Sequence, residues 1–68
     1  MWINTARTEE IRQHLEAEFN KNLAVEQRFP SHPIDGIQLR AYRTNGSNER
    51  VVFGSNYLEL HSAVQTEL

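Results

Sequence analysis

The fold is decided by the stretch Ile37-Gln38-Leu39-Arg40-Ala41-Tyr42-Arg43, Thr44-Asn45-Gly46-Ser47-Asn48 and Arg50-Val51-Val52-Phe53. Its first arm alternates apolar and polar residues, its second arm is rich in β-branched and aromatic residues, and an Asn-Gly pair lies between them. This pattern is the strongest short-range signal for a β-hairpin. It predicts a first strand over 37–43, a turn over 44–48 with a positive φ at Gly46, and a second strand over 50–53.

A helix is predicted before the hairpin. Four apolar residues recur at a spacing of four: Ile11, Leu15, Phe19 and Leu23. This spacing is typical of one stripe of an amphipathic helix. Thr8 precedes two glutamates and is a suitable N-cap, and Asn4 or Thr5 are alternatives one turn earlier. We therefore predict a helix from Thr5 or Thr8 to about Val25, after which the prolines within 29–33 prevent helix continuation.

A second helix is predicted after the hairpin. Gly54 ends the strand pattern, and either Ser55 or Asn56 is a suitable N-cap. The apolar stripe that follows consists of Tyr57, Leu60, His61, Val64 and Leu68. An isolated helix of this length is marginal in water, so its stripe is expected to be docked against the rest of the chain.

These elements predict a small α+β fold, a single domain over residues 1–68 with the order helix, hairpin, helix (α-β-β-α). The residues expected to face the helices are Ile37, Leu39, Ala41, Val51 and Phe53. Arg40, Tyr42 and Val52 then lie on the outer face of the sheet. A two-stranded hairpin is marginally stable alone. We expect dimerisation to extend this antiparallel sheet to four strands, unless Trp2-Ile3 supplies a further short strand.

Composition excludes several classes of protein. A chain of 68 residues buries roughly 60% of the surface of its unfolded form, so its core is small. The chain has no cysteine for a disulfide, and no apolar run approaches the roughly 20 residues of a membrane-spanning helix. Its net charge of −2 gives no general attraction to nucleic acid or anionic membranes. We therefore expect a cytoplasmic protein without a membrane partner.

No pattern typical of catalysis, a cofactor or a metal stands out. The three histidines, His14, His32 and His61, are widely spaced, whereas a metal site needs several converging ligands. The serines occupy turn or cap positions, and no glycine-rich phosphate loop is present. We predict no catalytic, cofactor-binding or metal-binding residue and no enzymatic activity.

The hairpin is the one segment with a positive charge bias. Residues 36–54 contain three arginines and one acid. The candidate interaction surface consists of Arg40, Tyr42, Arg43, Arg50 and Val52. Charged side chains can simply protect an edge strand from uncontrolled pairing. The same surface also suits a protein partner or a second copy joined strand to strand.

We therefore expect a small accessory or regulatory protein of bacterial or phage type that binds a protein partner, with a homodimer as one form. The alternative is weak nucleic-acid binding, because arginine contacts phosphate and aromatic rings stack on bases. The order helix, hairpin, helix at this length is similar to that of a small phage head–tail joining protein. That resemblance concerns layout, which does not by itself imply function.

Overall fold

The computed structural model describes residues 1–29, 36–45 and 50–68. Within these ranges the elements are β1 (Trp2–Ile3), α1 (Ala6–Phe19), β2 (Leu23–Arg28), β3 (Gln38–Arg43), β4 (Val51–Gly54) and α2 (Tyr57–Glu67). The predicted α+β class, with helices and an antiparallel sheet, is confirmed. The predicted order α-β-β-α is wrong, because β1 and β2 make the order β-α-β-β-β-α. The expected turn conformation of Gly46 lies outside the described residues.

The strands form one sheet in the order β1-β2-β3-β4, and each neighbouring pair is antiparallel. β1 pairs Trp2 with Arg28 and Ile3 with Gln27, so Trp2-Ile3 is indeed a short strand. The predicted hairpin is present as β3 and β4, but β2 covers the other edge of β3. A four-stranded sheet is therefore completed within one chain, without a second copy.

Helix α1 is defined by a cap at each end. Thr5 is the N-cap, and its hydroxyl accepts a hydrogen bond from the backbone N–H of Thr8, whose own hydroxyl accepts from the N–H of Thr5. At the other end Asn20 adopts a left-handed conformation with φ 54°, and its N–H donates to the carbonyl of Glu16. Asparagine tolerates this conformation, which ends a helix. The predicted continuation to Val25 is therefore wrong.

The segment after Asn20 is a strand because its apolar residues alternate. Leu23, Val25 and Gln27 are buried toward the helices, and the intervening residues are half-buried on the other side. Where β1 does not reach, side chains bind two backbone groups of β2. The Leu23 N–H donates to the Glu16 carboxylate at 2.9 Å, and the Val25 carbonyl accepts from the Asn4 amide at 2.9 Å. Side chains of the same chain therefore bind part of the β2 backbone that β1 leaves unpaired.

Both helices contribute to a core on one face of the sheet. The buried apolar side chains are Ile11, Leu15, Leu23, Val25, Leu39, Ala41, Val52, Leu60 and Val64. The inward assignment of Leu39 and Ala41 is confirmed. The assignment for β4 is wrong by one residue: Val52 is 2% exposed, whereas Val51 and Phe53 are 36% and 58% exposed. The cause is the register, which pairs Val52 with buried Ala41, because paired residues share a face.

Helix α2 begins close against the end of β4. Asn56 is its N-cap and accepts from the N–H of Glu59 at 2.9 Å. The side chain of His61 lies 2.8 Å from the Glu18 carboxylate, which joins α2 to α1. Neither described helix has the length and apolar character needed to cross a membrane.

Candidate functional site

The sheet separates the five residues of the predicted interaction surface. Arg40 and Tyr42 are half-buried on the outer face, the side of the sheet that faces away from the helices. Strand alternation places Arg43 and Arg50 on the helix side, where they line a cleft with residues at the C-terminal end of α2. Val52 belongs to the core, so its assignment to the outer face is wrong. The five residues therefore do not form one surface.

Trp2, which was not among the candidate site residues, covers much of the outer face. The Arg40 guanidinium carbon lies 4.5 Å from the centroid of the Trp2 ring, and that of Arg28 lies 5.3 Å from it. Arg40 also forms an ion pair with Glu26 at 2.7 Å. Stacking and pairing of this kind favour a fixed guanidinium group. The positive charge of Arg40 is thus already matched within the chain.

Beyond Trp2 the outer face becomes apolar toward β4. The ring centroids of Trp2 and Phe53 lie 6.0 Å apart. Phe53 nevertheless leaves more than half of its surface exposed, and Val51 beside it is also exposed. Two neighbouring exposed apolar side chains on one strand form a small apolar patch, and exposed apolar patches often mark interaction sites.

In the sheet that the described residues form, β4 is an edge strand on the side away from β3. The N–H of Thr44 donates to the carbonyl of Asn22 at 3.1 Å, which sets the phase of the antiparallel ladder. Along β3 the backbone groups point alternately to β2 and to β4, so Ala41 points its N–H and C=O toward Val52 of β4. The N–H and C=O groups of Val51 and Phe53, on either side of Val52, therefore point away from β3. No strand among the described residues pairs with this edge. Four backbone hydrogen-bonding groups are therefore presented at the edge.

A groove of about 550 Å³ runs between this edge and α2. The β4 side is formed by Val51, Val52 and Phe53, and the α2 side carries Ser62, Ala63 and Thr66 between two glutamates. Those glutamates are Glu59 and Glu67. The Glu59 carboxylate accepts the N–H of Ser55 at 2.9 Å, which ends the open edge just after β4. The groove thus combines an open strand edge, small side chains and acidic ends.

Other parts of the surface carry less organised chemistry. A smaller groove of about 390 Å³ follows α1 and is lined by Arg7, Glu10, His14 and Tyr57, among others. Within the ranges that the structure describes, no three side chains of histidine, cysteine, aspartate or glutamate converge as a metal site would require. The β4 edge with its groove is therefore the best-defined candidate site.

Sequence reasoning missed Val51, Phe53 and Trp2 as surface residues. Alternation shows that Val51 and Phe53 share a face, but only the pairing with β3 decides which face that is. The comparisons provide no further guide: no protein-family model, curated protein or solved structure matches this chain. The predicted similarity in layout to a phage head–tail joining protein depended on the order helix, hairpin, helix. The observed order is β-α-β-β-β-α, so that similarity no longer applies.

Proposed function

We propose that this chain is a non-enzymatic protein-interaction module, an accessory protein of bacterial or phage type. It binds its partner by adding a strand of that partner to the open edge of β4. The observation that carries this proposal is the outward direction of the Val51 and Phe53 backbone beside exposed apolar side chains. Addition of a strand to an open sheet edge is a common mode of protein recognition.

The composition of β4 supports a functional edge over a protected one. Folded proteins usually protect their edge strands with lysine, proline, a bulge or a covering loop. Val51–Gly54 contains no charged residue or proline, and its register with β3 is regular. The opposite edge strand, β1, has only two residues, and beyond it the side chains of Asn4 and Glu16 bind backbone groups of β2. Among the described residues, side chains thus bind backbone groups of β2 beyond β1, whereas none binds the outward backbone groups of Val51 or Phe53.

The groove defines what the added strand would look like. Side chains opposite Val51 and Phe53 would extend the apolar outer face, so apolar residues fit there. The alternate side chains would point toward α2, where Ser62 and Ala63 leave room and the glutamates favour a basic residue. The preferred partner segment is therefore extended, with apolar and basic residues alternating.

A peptide-display selection on the immobilised protein tests this function. Val51→Pro removes an N–H that points away from β3, so the fold is retained while the edge is blocked. Val51→Thr keeps the N–H and the strand propensity and is the matched control. We expect selected peptides to bind the wild type and Val51→Thr and to lose at least about tenfold in affinity on Val51→Pro.

Amide hydrogen exchange gives an independent measurement. At a protein concentration low enough to leave the β4 edge free of a second copy, the amides of Val51 and Phe53 are expected to become protected when a selected peptide binds. The β4 edge is not the binding site if selected peptides bind Val51→Pro as tightly as the wild type and leave the Val51 and Phe53 amides of the wild type unprotected.

A second candidate function is single-strand nucleic-acid binding on the outer face. It is favoured by the cluster of Trp2, Tyr42 and Phe53 with Arg28 and Arg40, since aromatic rings and guanidinium groups can stack on bases. The ion pair of Arg40 with Glu26 and the net charge of −2 weigh against it. A titration with single-stranded oligonucleotides at low salt tests it. Binding that weakens steeply with salt and is lost in Phe53→Ala would support it.

A further inference from the structure

We infer that the partner strand at this edge is β4 of a second copy, so that two sheets join across a twofold axis into one continuous sheet. The inference rests on the proposed function and names the occupant of the same edge. A twofold contact requires that one surface complement itself. Three features of the β4 edge and its groove meet this requirement.

The first feature is the backbone register. If Val51 of one copy lies opposite Phe53 of the other, all four outward backbone groups of each copy find partners. Val52 then lies opposite Val52 of the second copy, on the side of the helices. A register that pairs Phe53 with Phe53 of the second copy would bring Ser55 into the ladder. The N–H of Ser55, however, already donates to the Glu59 carboxylate of its own chain. The geometry therefore favours the register centred on Val52.

The second feature is charge. In this register Arg50 lies opposite Gly54 of the second copy, and α2 begins beside Gly54. Glu59, on the first turn of α2, is exposed at that end of the groove. Arg50 is exposed at the opposite end of β4. The twofold axis thus brings each Arg50 toward Glu59 of the other copy, which forms two equivalent pairs of opposite charge.

The third feature is the shape of α2. Its side toward the groove carries Ser62, Ala63 and Thr66, all small enough for two helices to approach over the Val52 pair. The same arrangement covers the exposed Val51 and Phe53 with their counterparts across the strand pair. An isologous contact therefore covers the open edge and its exposed apolar side chains together.

Sedimentation equilibrium at tens of micromolar tests the inference. We expect twice the monomer mass for the wild type and Val51→Thr, and the monomer mass for Val51→Pro. Charge reversal then tests the pairing: Arg50→Glu and Glu59→Lys should each raise the dimer dissociation constant by about tenfold or more. An equimolar mixture of these two variants should form a heterodimer close to wild-type affinity, since both pairs are restored.

Each variant alone also changes contacts within its own chain, so a weaker dimer by itself does not prove a contact. Recovery of affinity in the mixture shows that residues 50 and 59 meet across the interface, because two misfolded variants would not restore it. Circular dichroism on each variant checks that the fold is retained. A monomeric wild type, or a dimer that survives Val51→Pro or shows no rescue, would overturn the inference. A monomer that still binds selected peptides at the β4 edge would overturn it while leaving the proposed function standing.

Discussion

At the scale of single residues, Gly54 allows helix α2 to approach the end of β4 closely because it has no side chain. A Cβ built on Gly54 would lie 2.6 Å from the backbone nitrogen of Leu60 and 3.0 Å from the carbonyl carbon of Glu59. Its φ is not positive, so the backbone conformation does not require glycine. The requirement is space: α2 approaches the end of β4 so closely that only a hydrogen fits.

This predicts that Gly54→Ala destabilises the protein. The added methyl meets backbone atoms that cannot rotate away, so α2 must shift, at a cost of about 1–3 kcal/mol. Gly36→Ala is the matched control, because a Cβ there meets nothing within 4 Å. Urea denaturation of the two variants measures the difference. Equal unfolding free energies would contradict the close approach.

At the scale of elements, the junction between α1 and β2 is the point where one residue satisfies two patterns. Leu23 continues the helical spacing of Ile11, Leu15 and Phe19, and it also begins the alternation Leu23, Val25 along β2. The left-handed conformation of Asn20 ends α1 at Phe19, so the helix does not extend to Leu23 although the apolar spacing continues to that residue. Helix termination, and not apolar periodicity, therefore decides the state of residues 23–28.

Substitutions at Asn20 are expected to separate conformation from side-chain chemistry. Asn20→Val should destabilise by about 1–2 kcal/mol, because a β-branched residue tolerates a positive φ poorly. Asn20→Gly should be near neutral or stabilising, since glycine adopts this conformation without strain. Thermal unfolding followed by circular dichroism at 222 nm compares them. A larger loss for glycine than for valine would show that the left-handed cap is not what ends α1.

At the scale of the whole molecule, two layers share a core that both helices help to form. Leu15 of α1 and Leu60 of α2 are fully buried against the same sheet face. At the periphery the ring of Phe19 lies 4.9 Å from that of His61, which also contacts Glu18. The apolar stripe of α1 therefore has a buried centre and a half-exposed end.

This difference predicts unequal effects of truncation. Leu15→Ala should cost about 2–5 kcal/mol, a large share of the roughly 3–10 kcal/mol expected for a domain of this length. Phe19→Ala should cost less, because its side chain is only partly buried. Chemical denaturation of both variants checks the order. A greater loss for Phe19→Ala would mean that the helix–helix contact matters more than the central core.

The sequence by itself determined the features that depend on neighbouring residues. The β3–β4 hairpin and the stripe of α2 follow from local periodicity, and each is present. Of the candidate N-caps, the structure selects Thr5 over Thr8 and Asn4, and Asn56 over Ser55. The sequence did not determine the end of α1, because Leu23 fits a helix and a strand equally well.

Only the tertiary structure decided which face of β4 is buried and which sheet edge is open. A one-residue change of register exchanges the two faces of a strand without changing its sequence. The pairing of Val52 with Ala41 buries Val52 and exposes Val51 and Phe53, while β1 and the side chains of Asn4 and Glu16 bind backbone groups of β2 on the far side of the sheet. The candidate site lies at the β4 edge because the register of the β3–β4 pairing, which the alternation along one strand does not specify, leaves the Val51 and Phe53 backbone facing outward.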